Sequence, residues 1–175
     1  ELFITDYSYL AQAPQDMYKT TVVGIVDHHK LGDITTSTPL ECWIRPVGCT
    51  NTIVKEMYDS HKVEVPKDIA GIMMCAILSD TVIFKSPTCT EVDIKAVREL
   101  ATICGVEDFG ALGMEMFKVK SAVSGVPVRE LILRDYKPFD MHGTKVGIGQ
   151  LEVIALAIFD SVKDELQADL EKLRI

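Results

Sequence analysis

At 175 residues the chain can bury one medium core, or a domain plus part of another, and is too large to depend on disulfide staples. Its net charge of −8, with lysines and arginines scattered rather than gathered into a stripe, excludes broad nucleic-acid binding, which needs a basic track along the phosphates. The same acidity leaves room for a small anionic substrate, because bound divalent cations can reverse the local field.

Strand-like and helix-like segments then alternate. Residues 2–5 (LFIT) and 21–26 (TVVGIV) are short and mostly apolar, with β-branched or aromatic side chains, as in strands buried on both faces of a parallel sheet. Each runs into an aspartate, Asp6 and Asp27. Residues 42–45 give a third, weaker strand. A helix is predicted over 50–60, with Ile53, Val54 and Met57 on one stripe. Pro66 stands at the first turn of a second helix, 67–78, whose nearly unbroken apolar character places it at the centre of the core. Thr90 can N-cap a third helix over 91–103, and a fourth covers 108–119. This order predicts an α/β fold, a parallel sheet with flanking helices and a ligand crevice beyond the carboxyl ends of its strands.

Composition changes at 121–127 (SAVSGVP), which reads as an interdomain linker. Beyond it come a short helix over 128–133, strands at 136–141 and 145–152 joined by a His-Gly turn, and an amphipathic helix from Asp160. Val162, Leu166, Leu170 and Leu173 recur along that helix at spacings that demand cover. The expected division is a first domain over 1–120, the linker 121–127, and the start of a second α/β domain over 128–175.

The five cysteines include no CxxC pair and no zinc-like spacing to histidine, so reduced thiols in a cytoplasmic protein are expected. The longest apolar run, 69–78, is half of the roughly 20 residues that span a bilayer, so no membrane association is expected. The chain opens at Glu1 directly into a strand, from which we expect that upstream sequence has been removed.

Asp27-His28-His29, at the end of TVVGIV, is the strongest chemical signal. Two imidazoles and a carboxylate at a strand terminus can divide the work, one ring binding metal, one facing substrate, and the aspartate orienting a ring through its other nitrogen. Asp6 ends the neighbouring strand, and parallel strand ends converge on one crevice, so Asp6 and His28 can share a metal. Asp80 follows the apolar helix, where a carboxylate meets both desolvation and the negative end of the helix dipole, a conflict that a cation relieves. Taken alone, Asp80 reads as a solvated helix end and Asp6 as a turn residue. His61 and His142 read as surface residues, and Cys49 and Cys89 as loop-shaping ones.

The segments GIVDHHKLGDITTSTPLECWIRPVGCTNTIVKEMY and IAGIMMCAILSDTVIFKSPTCTEVDI resemble family II inorganic pyrophosphatases of the DHH phosphoesterase superfamily. The blocks PVGCT and FKSPTCT discriminate more sharply than Asp-His-His alone. The resemblance implies a DHH domain followed by the start of a DHHA2 domain, and hydrolysis of pyrophosphate to two phosphates. Residue by residue it implies that Asp6 bridges two metals, that His28 and Asp80 ligate the second metal, and that His29 contacts phosphate. Asp27 would support the histidines, and Lys137 in RDYKPF would reach the substrate from the second domain. Imidazole ligands favour a transition metal. The resemblance implies Mn²⁺ or Co²⁺, two per active site, with Mg²⁺ accompanying the substrate, and a homodimer.

The chain departs from the family pattern in three ways. The family's opening motif, a His followed by two Asp, and the downstream basic cluster that clamps phosphate are both absent, and Tyr7 follows the bridging aspartate where His is usual. We therefore expect the chain alone to bind Mn²⁺ weakly and to turn over little pyrophosphate. The rival readings are another DHH phosphoesterase, acting on polyphosphate or short oligonucleotides, and a non-catalytic dimerisation module.

Overall fold

The computed structural model describes residues 1–151, 153 and 156–173. Among these residues the chain forms two compact units, Glu1–Gly113 and Met114–Ile175, as an α/β protein.

In the first unit, β1 (Leu2–Thr5), β2 (Val22–Asp27) and β3 (Glu41–Ile44) form a three-stranded parallel sheet in that order. Apolar side chains on a pleated strand favour this pairing, and Ile4, Ile25 and Val26 are buried in it. The register pairs Thr5 with Val26 and Asp27 with Ile44, so the carboxyl ends of all three strands lie along one edge. Two single-turn 3-10 helices, Leu10–Gln12 and Met17–Lys19, carry the connection from β1 to β2.

Four helices follow: α1 (Thr50–Ser60), α2 (Lys67–Asp80), α3 (Glu91–Cys104) and α4 (Phe109–Lys120). The apolar α2 is central, as expected. Ala70, Met73, Met74, Ile77 and Leu78 pack against Ala96, Val97, Leu100 and Ala101 of α3 and against Cys49. Pro66 is the N-cap of α2 rather than part of its first turn, and the helix runs through Asp80, two residues beyond the expected end. Thr90 caps α3 reciprocally with Asp93, and Gly105 closes that helix at φ 77°, a left-handed conformation that glycine adopts without penalty. Lys55 is buried yet paired with Asp59 and Glu99, which ties α1 to α3 and satisfies the ammonium.

The second unit holds α5 (Val128–Leu133), an antiparallel hairpin of β4 (Tyr136–Met141) and β5 (Thr144–Gly149), α6 (Leu156–Asp160) and α7 (Lys163–Leu173). The His-Gly turn joins the strands with both residues at positive φ, 55° for His142 and 87° for Gly143. Val123, Leu131, Ile132 and Leu166 form a small core, and Arg129 pairs with Asp169 to hold α5 against α7.

Three expectations are revised in this unit. The division falls at Gly113/Met114, inside α4 and ahead of residues 121–127, where Ser121 and Val123 are buried and Ala122, Ser124, Gly125 and Pro127 are exposed. The strand expected over 145–152 ends at Gly149, and its last expected residue, Glu152, lies outside the described residues. The final helix starts at Lys163 and is preceded by the five-residue α6, too short to leave a periodic signature. Of its expected stripe, Leu166 is buried while Leu170 remains exposed.

Candidate metal centre at the carboxyl edge of the sheet

The parallel register brings the ends of β1 and β2 together, and the backbone N–H of Asp6 donates to the carbonyl of Val26 at 2.9 Å. Asp6 itself sits at φ 68°, a left-handed conformation rare outside glycine but tolerated by aspartate, and such departures concentrate at functional sites. One donor atom each from Asp6, His28 and His29 lies within 4.8 Å of the others. His28 Nε2 faces Asp6 Oδ1 at 3.5 Å, too long for a good hydrogen bond and compatible with two ligands of one ion.

Each ring is oriented through its other nitrogen. His28 Nδ1 lies 3.0 Å from the carbonyl of Val47. A carbonyl can only accept, so Nδ1 carries the proton and, in the neutral ring, the Nε2 lone pair is left facing Asp6. His29 Nδ1 is 2.8 Å from Asp27 Oδ1, and the His29 backbone N–H donates to the same oxygen at 3.1 Å. Asp27 is fully buried, and its second oxygen, Oδ2, has no hydrogen-bond partner. A buried carboxylate with an unsatisfied oxygen is costly unless positive charge stands nearby, which suits a cation beside the two rings. Two imidazole nitrogens with a carboxylate form a donor set that suits a divalent transition metal. The residues present therefore fit a divalent transition-metal ion.

Asp6 is held as well. Thr50 Oγ1, at the start of α1, donates to Asp6 Oδ1 at 2.7 Å. The sequence reading missed this contact, although Thr50 stands in the PVGCT block, because it joins residues 44 positions apart. It also missed Asp93, a fully buried carboxylate that accepts from Gly48 N–H, Thr52 and Thr90. The capping pattern from Thr90 to Asp93 was available in the sequence, but the tie to Gly48 was not.

Asp80 is placed differently. It lies outside the three-residue group and is exposed at the end of α2, so the desolvation expected for it does not occur, while its position at the negative end of the helix stands. Its carboxylate neighbours the Cys49 thiol, which burial and then this carboxylate push far above the ordinary thiol range. Cys49 is thus a buried N-cap whose thiol accepts from Asn51 N–H. Val82, Ile83 and Phe84, just after Asp80, all have positive φ, at 51°, 51° and 65°. That strained turn is held by Ile83 N–H to Leu78 and Ser86 N–H to Thr81.

Lys137 lies on β4 of the second unit, exposed, with Asp135 at 3.6 Å. His61 and His142 are exposed, as expected. Ser86 and Thr88 hydrogen-bond each other in the turn before α3.

Residues 1–77 match the DHH family, N-terminal domain, and residues 114–174 match the DHHA2 domain. A manganese-dependent inorganic pyrophosphatase of Methanothrix thermoacetophila is 42% identical over 172 residues, covering 98% of this chain and 55% of that protein. One of Methanocaldococcus jannaschii is 39% identical over 180 residues, covering 98% and 58%. A Methanococcus jannaschii crystal structure that carries the name of a family II inorganic pyrophosphatase superposes with a TM-score of 0.83 at 39% identity, covering 97% of this chain and 58% of that one. The chain thus spans about half the length of the curated relatives it matches. With a DHH domain, then a DHHA2 domain, and these relatives aligned along nearly all of its residues, the chain belongs to the family II inorganic pyrophosphatases.

Proposed function

We propose that this chain serves the hydrolysis of inorganic pyrophosphate to two phosphates, with manganese at the Asp6–His28 site. The observation that carries this reading is the meeting of Asp6, His28 and His29 at the sheet edge, with the His28 tautomer selected by Val47. Relatives named manganese-dependent inorganic pyrophosphatases support both substrate and metal.

When bound, divalent metal supplies the acidity that activates water and the positive charge that offsets the phosphoryl oxygens. Asp6 and His28 would hold the ion. Asp80 joins them as a ligand in this reading, supported by its place beside Cys49, the residue before the Asp6 partner Thr50. His29, with Nδ1 occupied by Asp27, is left to offer Nε2 to a phosphate oxygen, donating when the ring is imidazolium. Lys137 would neutralise charge on the substrate, since positioning and electrostatics carry most phosphoryl-transfer catalysis. Co²⁺ is an alternative metal, Mg²⁺ would arrive with the substrate, and the active form is read as a cytoplasmic homodimer. Among the described residues no helix is long and apolar enough to cross a membrane.

Among the described residues three donor groups are gathered, fewer than a tight manganese site uses, so the chain alone should bind Mn²⁺ weakly and turn over slowly. Phosphate release from pyrophosphate, long polyphosphate and a dinucleotide, measured on the intact protein with Mn²⁺, tests the assignment. Pyrophosphate should be the preferred substrate, and faster release from either of the others would replace this reading with another DHH phosphoesterase.

A further inference from the structure

Within the consecutive residues 47–50, three touch Asp6, His28 and Asp80. Val47 accepts from His28 Nδ1 at 3.0 Å, Cys49 neighbours Asp80, and Thr50 donates to Asp6 at 2.7 Å. The remaining residue, Gly48, is buried, and its N–H donates to Asp93 Oδ2 at 2.9 Å. A Cβ added at Gly48 would stand 2.7 Å from Thr81 Cγ2 and 3.1 Å from Asp93 Oδ2, so this backbone is pressed directly onto both. Asp93 lies 0% exposed, and its other oxygen accepts from Thr52 Oγ1 at 2.5 Å, a second tie to the start of α1.

We propose that Asp93 is a positioning residue for the metal centre. It anchors Gly48 and Thr52 from α3, and so fixes the segment that sets the His28 tautomer and holds the Asp6 carboxylate. This rests on the metal reading above and extends it to a carboxylate that touches neither substrate nor ion. Helix capping alone does not account for Asp93. Its reciprocal bonds with Thr90 complete the cap of α3, whereas the bonds to Gly48 and Thr52 leave that helix and end on the loop under the site.

The two roles separate experimentally in the 175-residue chain. Asp93→Asn turns one of the two accepting oxygens into a donor, so the side chain can no longer accept from both Gly48 N–H and Thr52 Oγ1 as the carboxylate does, while Thr90→Ala weakens the same helix cap and spares the bond to Gly48. Mn²⁺ titration by calorimetry should show affinity falling by about tenfold or more in Asp93→Asn, the loss common for residues that support metal ligands. Thr90→Ala should change affinity less than about threefold. Histidine ¹⁵N shifts of the metal-free chain, recorded where the rings are neutral, should show His28 as a single Nδ1–H tautomer in wild type and Thr90→Ala, and as a mixture in Asp93→Asn. If Asp93→Asn does not fold, Thr52→Val, which removes one donor and leaves the cap intact, should give a smaller shift in the same direction. Equal losses of affinity in Asp93→Asn and Thr90→Ala, or an unchanged His28 tautomer, overturn the proposal. Absence of Mn²⁺ binding by the wild type would count against the metal reading instead, and the tautomer measurement, which needs no metal, would still decide the role of Asp93.

Discussion

Asp6 and Asp93 are both aspartates, but their surroundings give them different work. Asp6 is exposed and held by one hydroxyl. Thr50→Val, which keeps the shape and removes that donor, should weaken Mn²⁺ binding by about tenfold, measurable by calorimetry, with little change in melting temperature. Asp93 is buried, which by itself raises its pKa, but hydrogen bonds from Thr52, Thr90 and Gly48 outweigh burial and hold the carboxyl below its ordinary value. A carboxyl depressed in the folded state adds stability that is fully present above the unfolded value of about 3.9 and is lost as pH falls through the folded value. Wild-type melting temperature should therefore fall steeply below about pH 4, and Asp93→Asn should show a shallower slope over the same acid range. At this scale His28, His29, Asp27 and Asp6 could be read from the sequence, because a motif at a strand end fixes their neighbourhood. Thr50 and Asp93 could not, since their partners are joined only when α1 and α3 close on the sheet.

Stability at the level of elements resides in the packing of α2 on α3. Ile77 and Leu100 are both fully buried in that interface. Ile77→Ala should cost about 2–5 kcal/mol in urea unfolding, the range for deleting a core aliphatic side chain. Thr90→Ala, which removes only a cap, should cost about 1 kcal/mol by the same measurement. The contrast follows from volume, because a cap loses one hydrogen bond and a core position leaves a cavity. The same physics explains which elements were legible. Long apolar stripes specify α2 and α3 through burial, and short, mostly apolar runs mark β1 and β2 as strands of a parallel sheet. The five-residue α6 has no room for a period, and the end of α2 at Asp80 depends on the left-handed turn through Val82, Ile83 and Phe84. Three bulky residues at positive φ are not something composition announces.

For the whole molecule, two compact units correspond in order to DHH and DHHA2 matches, and Asp6, His28 and His29 belong to the first. The division at Gly113/Met114 falls ahead of the small, turn-prone residues 121–127, because Ser121 and Val123 pack with the second unit while Ala122, Ser124, Gly125 and Pro127 stay exposed. The most direct test is pulsed electron paramagnetic resonance on the chain with saturating Mn²⁺, which detects an imidazole nitrogen bonded to the ion. Wild type should show that nitrogen coupling, and His28→Ala should lose it while binding at least about tenfold more weakly. A wild-type spectrum without nitrogen coupling, or a His28→Ala spectrum and affinity equal to wild type, would contradict a metal centre built on Asp6 and His28.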